Sequence, residues 1–175
     1  MQHTKRKIVL TSPKGTVYNQ NKAREFSKLD HLILIAGHYE GVDERILTQV
    51  DEEISFGDFV MTGGEIAATA VVDSVVRLIP GVLEKTEAVQ EESFFEASVS
   101  ELEKIVGDDE IFNKLKARGK KSVQLLEYPH YTRPEEFKGQ AVPRVLLSGD
   151  HAEIRRWRLS KAWEQTKKLR PDLIC

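Results

Sequence analysis

Six residues, His31 to Ala36, read H-L-I-L-I-A and stop at Gly37. A continuous apolar run of that length is too short for a helix and lacks the alternation of a half-solvated strand, which leaves a strand buried on both faces. Strands of that kind belong to parallel sheets with helices between them. The surroundings agree. R-K-I-V-L-T at 6–11 reads as another buried strand, ended by the S-P-K-G turn, and residues 21–29 space Ala23, Phe26 and Leu29 as a short amphipathic helix. Residues 43–49 can make one or two helical turns, and E-E-I-S at 52–55 a further short strand. The expected fold class is α/β with a parallel sheet.

Two glycine-bearing loops follow these short β-branched runs, G-H-Y-E-G from Gly37 and S-F-G-D-F-V-M-T-G-G from Ser55, and the second leads into a helix that starts at Gly63-Gly64-Glu65. Loops without large side chains at their turns let backbone N–H and C=O groups approach a ligand, so this stretch predicts a pocket made largely of main chain. From Gly64 to Ile79 the helix is apolar nearly all round, as a buried helix would be, and Pro80 stops it. Asp73 and Arg77 form one polar notch on that rod. Two readings stand: an i,i+4 ion pair, or an Arg77 that faces a site.

Beyond an acidic stretch at 84–97, Ser98-Val-Ser-Glu101 has capping-box spacing and opens a helix that Gly107 closes; Asp108-Asp109 cap a second, closed by Gly119. This pair is expected to be an insertion or spacer. The following K-K-S-V-Q-L-L-E-Y-P-H-Y-T-R-P has two prolines and no helical period, so an extended linker is expected, one that carries Glu127, His130, Tyr131 and Arg133 together. Asp150 then caps a helix predicted to reach Leu169, with Leu159, Ala162, Trp163, Thr166 and Leu169 as its apolar stripe. Trp157, Arg158, Lys161 and Lys168 fall on its other side. A basic face with an aromatic suits phosphate tracking and base stacking, and equally an ordinary solvated helix.

Charge sharpens that choice. Residues 1–113 hold 11 Lys and Arg against 21 Asp and Glu, a net of −10, whereas 114–175 hold 15 against 7, a net of +8. An acidic body with a basic end is the pattern of a polyanion binder. The only cysteine is Cys175, so an intrachain disulfide and a cysteine zinc cluster are excluded. The sequence carries no G-x-G-x-x-G, P-loop, H-E-x-x-H or G-x-S-x-G, which removes the usual dinucleotide, phosphoryl-transfer, zinc-protease and hydrolase machinery. No apolar run approaches a membrane span, and a soluble cytosolic protein is expected.

Laid end to end, these segments resemble the bacterial tRNA (guanine-N(1))-methyltransferases of the TrmD family, in the SPOUT superfamily. The resemblance rests on S-P-K-G at 12–15, G-H-Y-E-G-V-D-E-R at 37–45, D-E-E-I-S-F-G-D-F-V-M-T-G-G-E at 51–65 and D-S-V-V-R-L-I-P-G-V-L at 73–83. It continues with L-L-E-Y-P-H-Y-T-R-P at 125–134, V-P-R-V-L-L-S-G-D-H at 142–151, and the terminal R-R-W-R and R-P-D-L. It implies a parallel α/β domain with a deep trefoil knot, against the general rule that chains do not thread, and a small C-terminal helical domain that binds tRNA. The implied division is 1–83 for the knotted domain, 84–133 for an interdomain linker with a helical insertion, and 134–175 for the tRNA-binding domain.

The resemblance implies a homodimer with shared active sites, transferring a methyl group from S-adenosylmethionine to N(1) of the guanosine 3′ of a tRNA anticodon. Cofactor contacts would come from Ser12, Pro13, Gly37, Tyr39, Glu40, Gly41, Ser55, Phe56, Gly57, Asp58, Phe59, Val60, Met61, Gly63 and Gly64. Glu127 would be the general base and Arg77 the group facing the exocyclic oxygen; tRNA contacts would fall on His130, Tyr131, Arg133, Arg155, Trp157, Arg158 and Lys161. Dependence on Mg²⁺ is implied by the family alone. Departures are a missing N-terminal stretch with its G-G-G-P-G-M-type loop, Glu127 in place of an Asp, Ala67 in place of a proline, and the length of 98–121. The rival readings are a tRNA-binding or dimerising protein without transferase activity, and a ribose 2′-O-methyltransferase of the same superfamily.

Overall fold

A computed structural model describes residues 4–83 and 92–174. The chain divides into two compact units, residues 1–86 and 87–175. The first holds strand β1 (Arg6–Val17), helix α1 (Gln20–Phe26), strand β2 (His31–Ala36), a 3-10 turn (Glu44–Gln49), strand β3 (Glu52–Ser55) and helix α2 (Glu65–Val76). Its sheet is parallel throughout, in the order β2-β1-β3. The α/β expectation holds. Asn19 caps α1 by accepting from the Lys22 N–H at 3.1 Å, and Val9, Ala23, Phe26, Ile54, Val71 and Val75 make the core between sheet and helices.

In the first unit three expectations are corrected by the structure. S-P-K-G does not end β1: Thr11 and Thr16 both align with Ile54, so the intervening residues bulge out and the strand resumes. Pro13 has no N–H to give to the ladder, and a Cβ at Gly15 would lie 2.5 Å from the backbone of Glu53 and Ile54, so the bulge is tight against β3. Second, β2 is not buried on both faces, because it is the sheet's edge and Ile33 is 42% exposed. Third, α2 is buried along one stripe only, Ala67, Val71 and Val75, while Ile66, Val72 and Val76 face out. Among the described residues the sheet has three strands, and it covers one side of the helix.

The second unit contains β4 (Phe95–Ser98), α3 (Val99–Val106), α4 (Glu110–Ala117), β5 (Ser122–Leu125), a two-residue ribbon β6 (Glu136–Phe137) and β7 (Gln140–Ala141), α5 (Arg144–Leu147), α6 (His151–Leu169) and a 3-10 turn (Pro171–Leu173). β4 and β5 pair antiparallel, from Phe95 opposite Leu125 to Ser98 opposite Ser122. Residues 98–117 are therefore no spacer. Val99, Leu102, Phe112 and Leu115 share one core with Val123, Leu125, Leu159, Ala162, Trp163 and Ile174, so the compact unit begins well before 134 and is mixed α/β rather than helical. Ser122–Leu125 is a strand, not extended linker. The acidic stretch lies mostly in 84–91, outside the described residues.

The starts of α4 and α6 follow the caps read from the sequence. Asp109 accepts from the Ile111 N–H at 3.1 Å, and Asp150 from the N–H groups of Ala152 and Glu153 at 3.0 and 3.1 Å. Ser98 stands at the N-cap of α3 without a side-chain cap bond. The stripe on α6 is right as far as Thr166, but Leu169 is exposed.

Asp109 also bonds Lys167 and takes the Trp163 indole N–H at 3.4 Å. Burial pushes its carboxyl up, but Lys167, the Ile111 N–H and the indole outweigh that and hold it below the usual carboxylate value. A depressed folded pKa contributes stability that is complete above the unfolded value of about 3.9 and lost as pH falls through the folded one. Asp109→Asn is expected to destabilise this unit by about 2 kcal/mol at pH 7, the worth of a charged, partly buried hydrogen bond, and by less below about pH 4. Both tryptophans, Trp157 and Trp163, lie in this unit, so urea denaturation followed by tryptophan fluorescence at the two pH values reads it directly. A gap that stays constant with pH would contradict the assignment.

Candidate active site

Because the first unit's strands run parallel, the segments leaving their C-terminal ends gather at one edge of the sheet, where ligands bind in open α/β folds. The β1 bulge, the loop after β2 and the loop after β3 enclose a cavity of about 370 Å³, within the range of about 300–1,000 Å³ typical of small-molecule sites. Its wall contains Ser12 and Pro13 from the bulge, Gly37, Tyr39, Glu40 and Gly41 from the second segment, and Ser55, Phe56, Gly57, Phe59, Val60, Met61, Gly63 and Gly64 from the third. Asp58 is exposed and outside the wall. The resemblance did not name Lys14, Val42, Glu44, Leu47 and Thr62, which line it too.

Main-chain contacts join the loops that form the wall. The Gly64 N–H donates to the Gly37 carbonyl at 2.7 Å, and His38 and Gly63 form an antiparallel bridge, so the second and third loops are joined at their backs. A Cβ at Gly64 would collide with Thr11 Oγ1 and sit 3.1 Å from Ala36 Cα and Gly37 N. Tyr39 takes a positive φ of 56° and Gly41 one of 105°, which turn the second loop over the cavity. Ser55 Oγ accepts from the Gly57 N–H at 3.1 Å and closes the first turn of the third loop. Three carboxylates, Glu40, Glu44 and Glu53, line the wall against one ammonium, Lys14, 3.7 Å from Glu44. That balance favours a cationic ligand.

Arg77 and Glu127 belong to different units. Arg77 is the half-buried C-cap of α2, its N–H directed at the Asp73 carbonyl at 3.4 Å. Glu127 follows β5 and is held by its neighbours: the Leu126 N–H donates to Thr166 Oγ1 on α6 at 2.9 Å, and the Glu127 N–H to Ser93 Oγ at 3.2 Å. Its carboxylate lies 3.3 Å from His130 Nε2.

A sequence-family model described as tRNA (Guanine-1)-methyltransferase TrmD matches residues 1–175. The chain belongs to that family. It is 49% identical over 169 residues to the tRNA (guanine-N(1)-)-methyltransferase of Clostridium beijerinckii, covering 97% of this chain and 59% of the relative. It is 48% identical over 167 residues to the protein of that name from Caldanaerobacter subterraneus subsp. tengcongensis (95% and 58%) and 46% over 169 to that from Moorella thermoacetica (96% and 57%). The chain thus spans about three fifths of the length of the curated relatives it matches.

In this TrmD-family chain the basic residues of α6 are more engaged than their sequence pattern suggested. Arg155 pairs with Glu101 at 2.9 Å, Lys161 with Glu164 at 2.7 Å, and the Arg158 guanidinium lies 4.7 Å from the centre of the Tyr128 ring. Trp157 and Tyr131 stand near each other, ring centres 6.3 Å apart, while His130, Tyr131 and Arg133 are exposed. The Glu101 pairing joins residues 54 apart in sequence, a distance over which no local signal operates. Among the described residues no group of three or more His, Cys, Asp or Glu side chains could hold a metal ion.

Proposed function

We propose that this protein transfers a methyl group from S-adenosylmethionine to N(1) of the guanosine 3′ of a tRNA anticodon. The cavity carries the reading: of the fifteen residues that the resemblance assigned to the cofactor, all but Asp58 line it. When bound, the cofactor supplies an electrophilic methyl group on a cationic sulfonium, and an acidic, glycine-walled pocket fits both its charge and its need for close backbone approach. The knotted threading of the family is part of the proposal.

Guanine N(1) carries a proton and is a weak nucleophile until that proton leaves. Glu127 is assigned to accept it, with its backbone fixed by Ser93 and its neighbour Leu126 fixed by Thr166. Arg77 is assigned to the exocyclic oxygen, where a planar fork of donors matches the negative charge that builds as N(1) is deprotonated. His130, Tyr131, Arg133 and the α6 residues Arg155, Trp157, Arg158 and Lys161 would hold the RNA, the aromatic pair by stacking. The exposed apolar face of α2, Ile66, Val72 and Val76, supports a homodimer in which the two subunits share sites. The setting is the cytoplasm; among the described residues no helix is long and apolar enough to cross a membrane.

Calorimetric titration with S-adenosylmethionine is expected to show one site per chain, with S-adenosylhomocysteine competing. Arg77→Ala and Glu127→Gln are each expected to lower turnover by about 10²–10³ and to leave cofactor affinity unchanged. Loss of cofactor binding in either variant would remove that residue from its assigned part in methyl transfer.

A further inference from the structure

Two side chains behind the cavity wall, His38 and Glu65, carry an inference that rests on the cofactor reading of the cavity. Neither lines the cavity. His38 Nδ1 and Glu65 Oε1 are 3.0 Å apart, and their bond crosses the seam where the second and third loops already meet through the His38–Gly63 bridge and the Gly64-to-Gly37 hydrogen bond. Beneath the pair lies Gly63. A Cβ there would collide with Glu65 Oε2 and come within 2.5 Å of His38 Nδ1, and Gly63 has no positive φ to require a glycine. The space kept by the missing side chain is the space the pair occupies.

The pair also reaches Tyr39. The Tyr39 ring stands edge-on to the His38 imidazole, centres 4.5 Å apart at 81°, and the Tyr39 backbone holds a left-handed φ of 56°, a conformation that non-glycine residues keep only where neighbours fix it. Glu65 is anchored at the first residue of α2; its carboxyl is held below the usual carboxylate value, first by its own backbone N–H and then by His38. One end of the link is therefore tied to a helix and the other to the exposed loop after β2.

We propose that His38 and Glu65 are positioning residues, a side-chain latch that fixes the Tyr39–Gly41 loop against Gly63-Gly64 and so sets the shape of the cofactor pocket. The latch touches no ligand and acts through the backbone it joins. In its absence the two loops keep only their main-chain bonds, and the cavity that receives the cofactor is populated less of the time.

The test is a double-mutant cycle on cofactor affinity, measured by calorimetry on the same chain with S-adenosylmethionine. His38→Ala and Glu65→Ala should each weaken binding about fivefold, within reach of an exposed charged hydrogen bond, and the double variant should be no weaker than the weaker single. Glu65→Gln, which keeps an acceptor oxygen for the imidazole N–H, should stay within about twofold of the unsubstituted chain. Effects that add in the double variant, or failure of Glu65→Gln to restore affinity, would overturn the latch while leaving the cofactor reading intact. No binding by the unsubstituted chain would overturn the cofactor reading and the latch with it.

Discussion

Gly64→Ala is expected to weaken S-adenosylmethionine binding by roughly 100-fold, the scale on which overpacking and a misplaced site combine. Gly64 has φ −80° and ψ −3°, a conformation open to alanine, so backbone strain has no part in the effect. Space does. The added methyl group meets Thr11 Oγ1 on one side and the backbone of Ala36 and Gly37 on the other, and those backbone atoms end β2, which is locked to β1 in register from Arg6 opposite His31 to Thr11 opposite Ala36. The start of α2 must retreat, and the 2.7 Å bond from the Gly64 N–H to Gly37 stretches with it. Titration calorimetry reads the loss, and circular dichroism of the whole chain, set against the tryptophan fluorescence of the second unit, shows whether the first unit still folds. Affinity equal to that of the unsubstituted chain would mean that the loops are not joined as described.

Trp163→Ala is expected to destabilise the second unit by about 3–5 kcal/mol, the usual cost of deleting a buried large aromatic. Trp163 is 1% exposed and stacks on Phe112 with ring centres 4.6 Å apart. Its indole N–H is one of the groups that satisfy Asp109, so truncation leaves a cavity and a less satisfied carboxylate together. Against a total of about 5–15 kcal/mol for an ordinary domain, a unit of this size loses a large share of its stability. Its thermal transition, followed by circular dichroism, should fall by more than about 10 °C. Cofactor affinity should survive, because the cavity wall is made wholly by the first unit. A small shift in the transition would mean that Trp163 is not at the centre of this core.

Local signals carried through to the structure where local physics decides the outcome. The H-L-I-L-I-A strand, the Asp109 and Asp150 caps and the glycine loops were legible because period, cap chemistry and missing side chains act within a few residues. The role of 98–117 was not. Val99, Leu102, Phe112 and Leu115 announce amphipathic helices, but the surface they cover belongs to α6, some fifty residues on, and nothing local points there. The same holds for Arg155 and Glu101. S-P-K-G misled because proline and glycine mark a strand's end and a bulge alike; only the resumed pairing of Thr16 with Ile54 separates the two. Lys14 and Leu47 entered the cavity wall through that bulge and the 3-10 turn, neither of which has a sequence signature for what it faces. The outward side of α2 reads as core by composition, since hydropathy records that Ile66 and Val72 avoid water without recording what covers them.

The most direct test is to incubate the chain with labelled S-adenosylmethionine and unmodified tRNA carrying guanosine at the third anticodon position and the next, and to map any methyl group by nucleoside mass spectrometry. The expected product is 1-methylguanosine at the position 3′ of the anticodon, formed about 10²–10³-fold more slowly by Arg77→Ala. A methyl group on a ribose oxygen or another base, or none from a chain that binds both cofactor and tRNA, would contradict methyl transfer to guanine N(1).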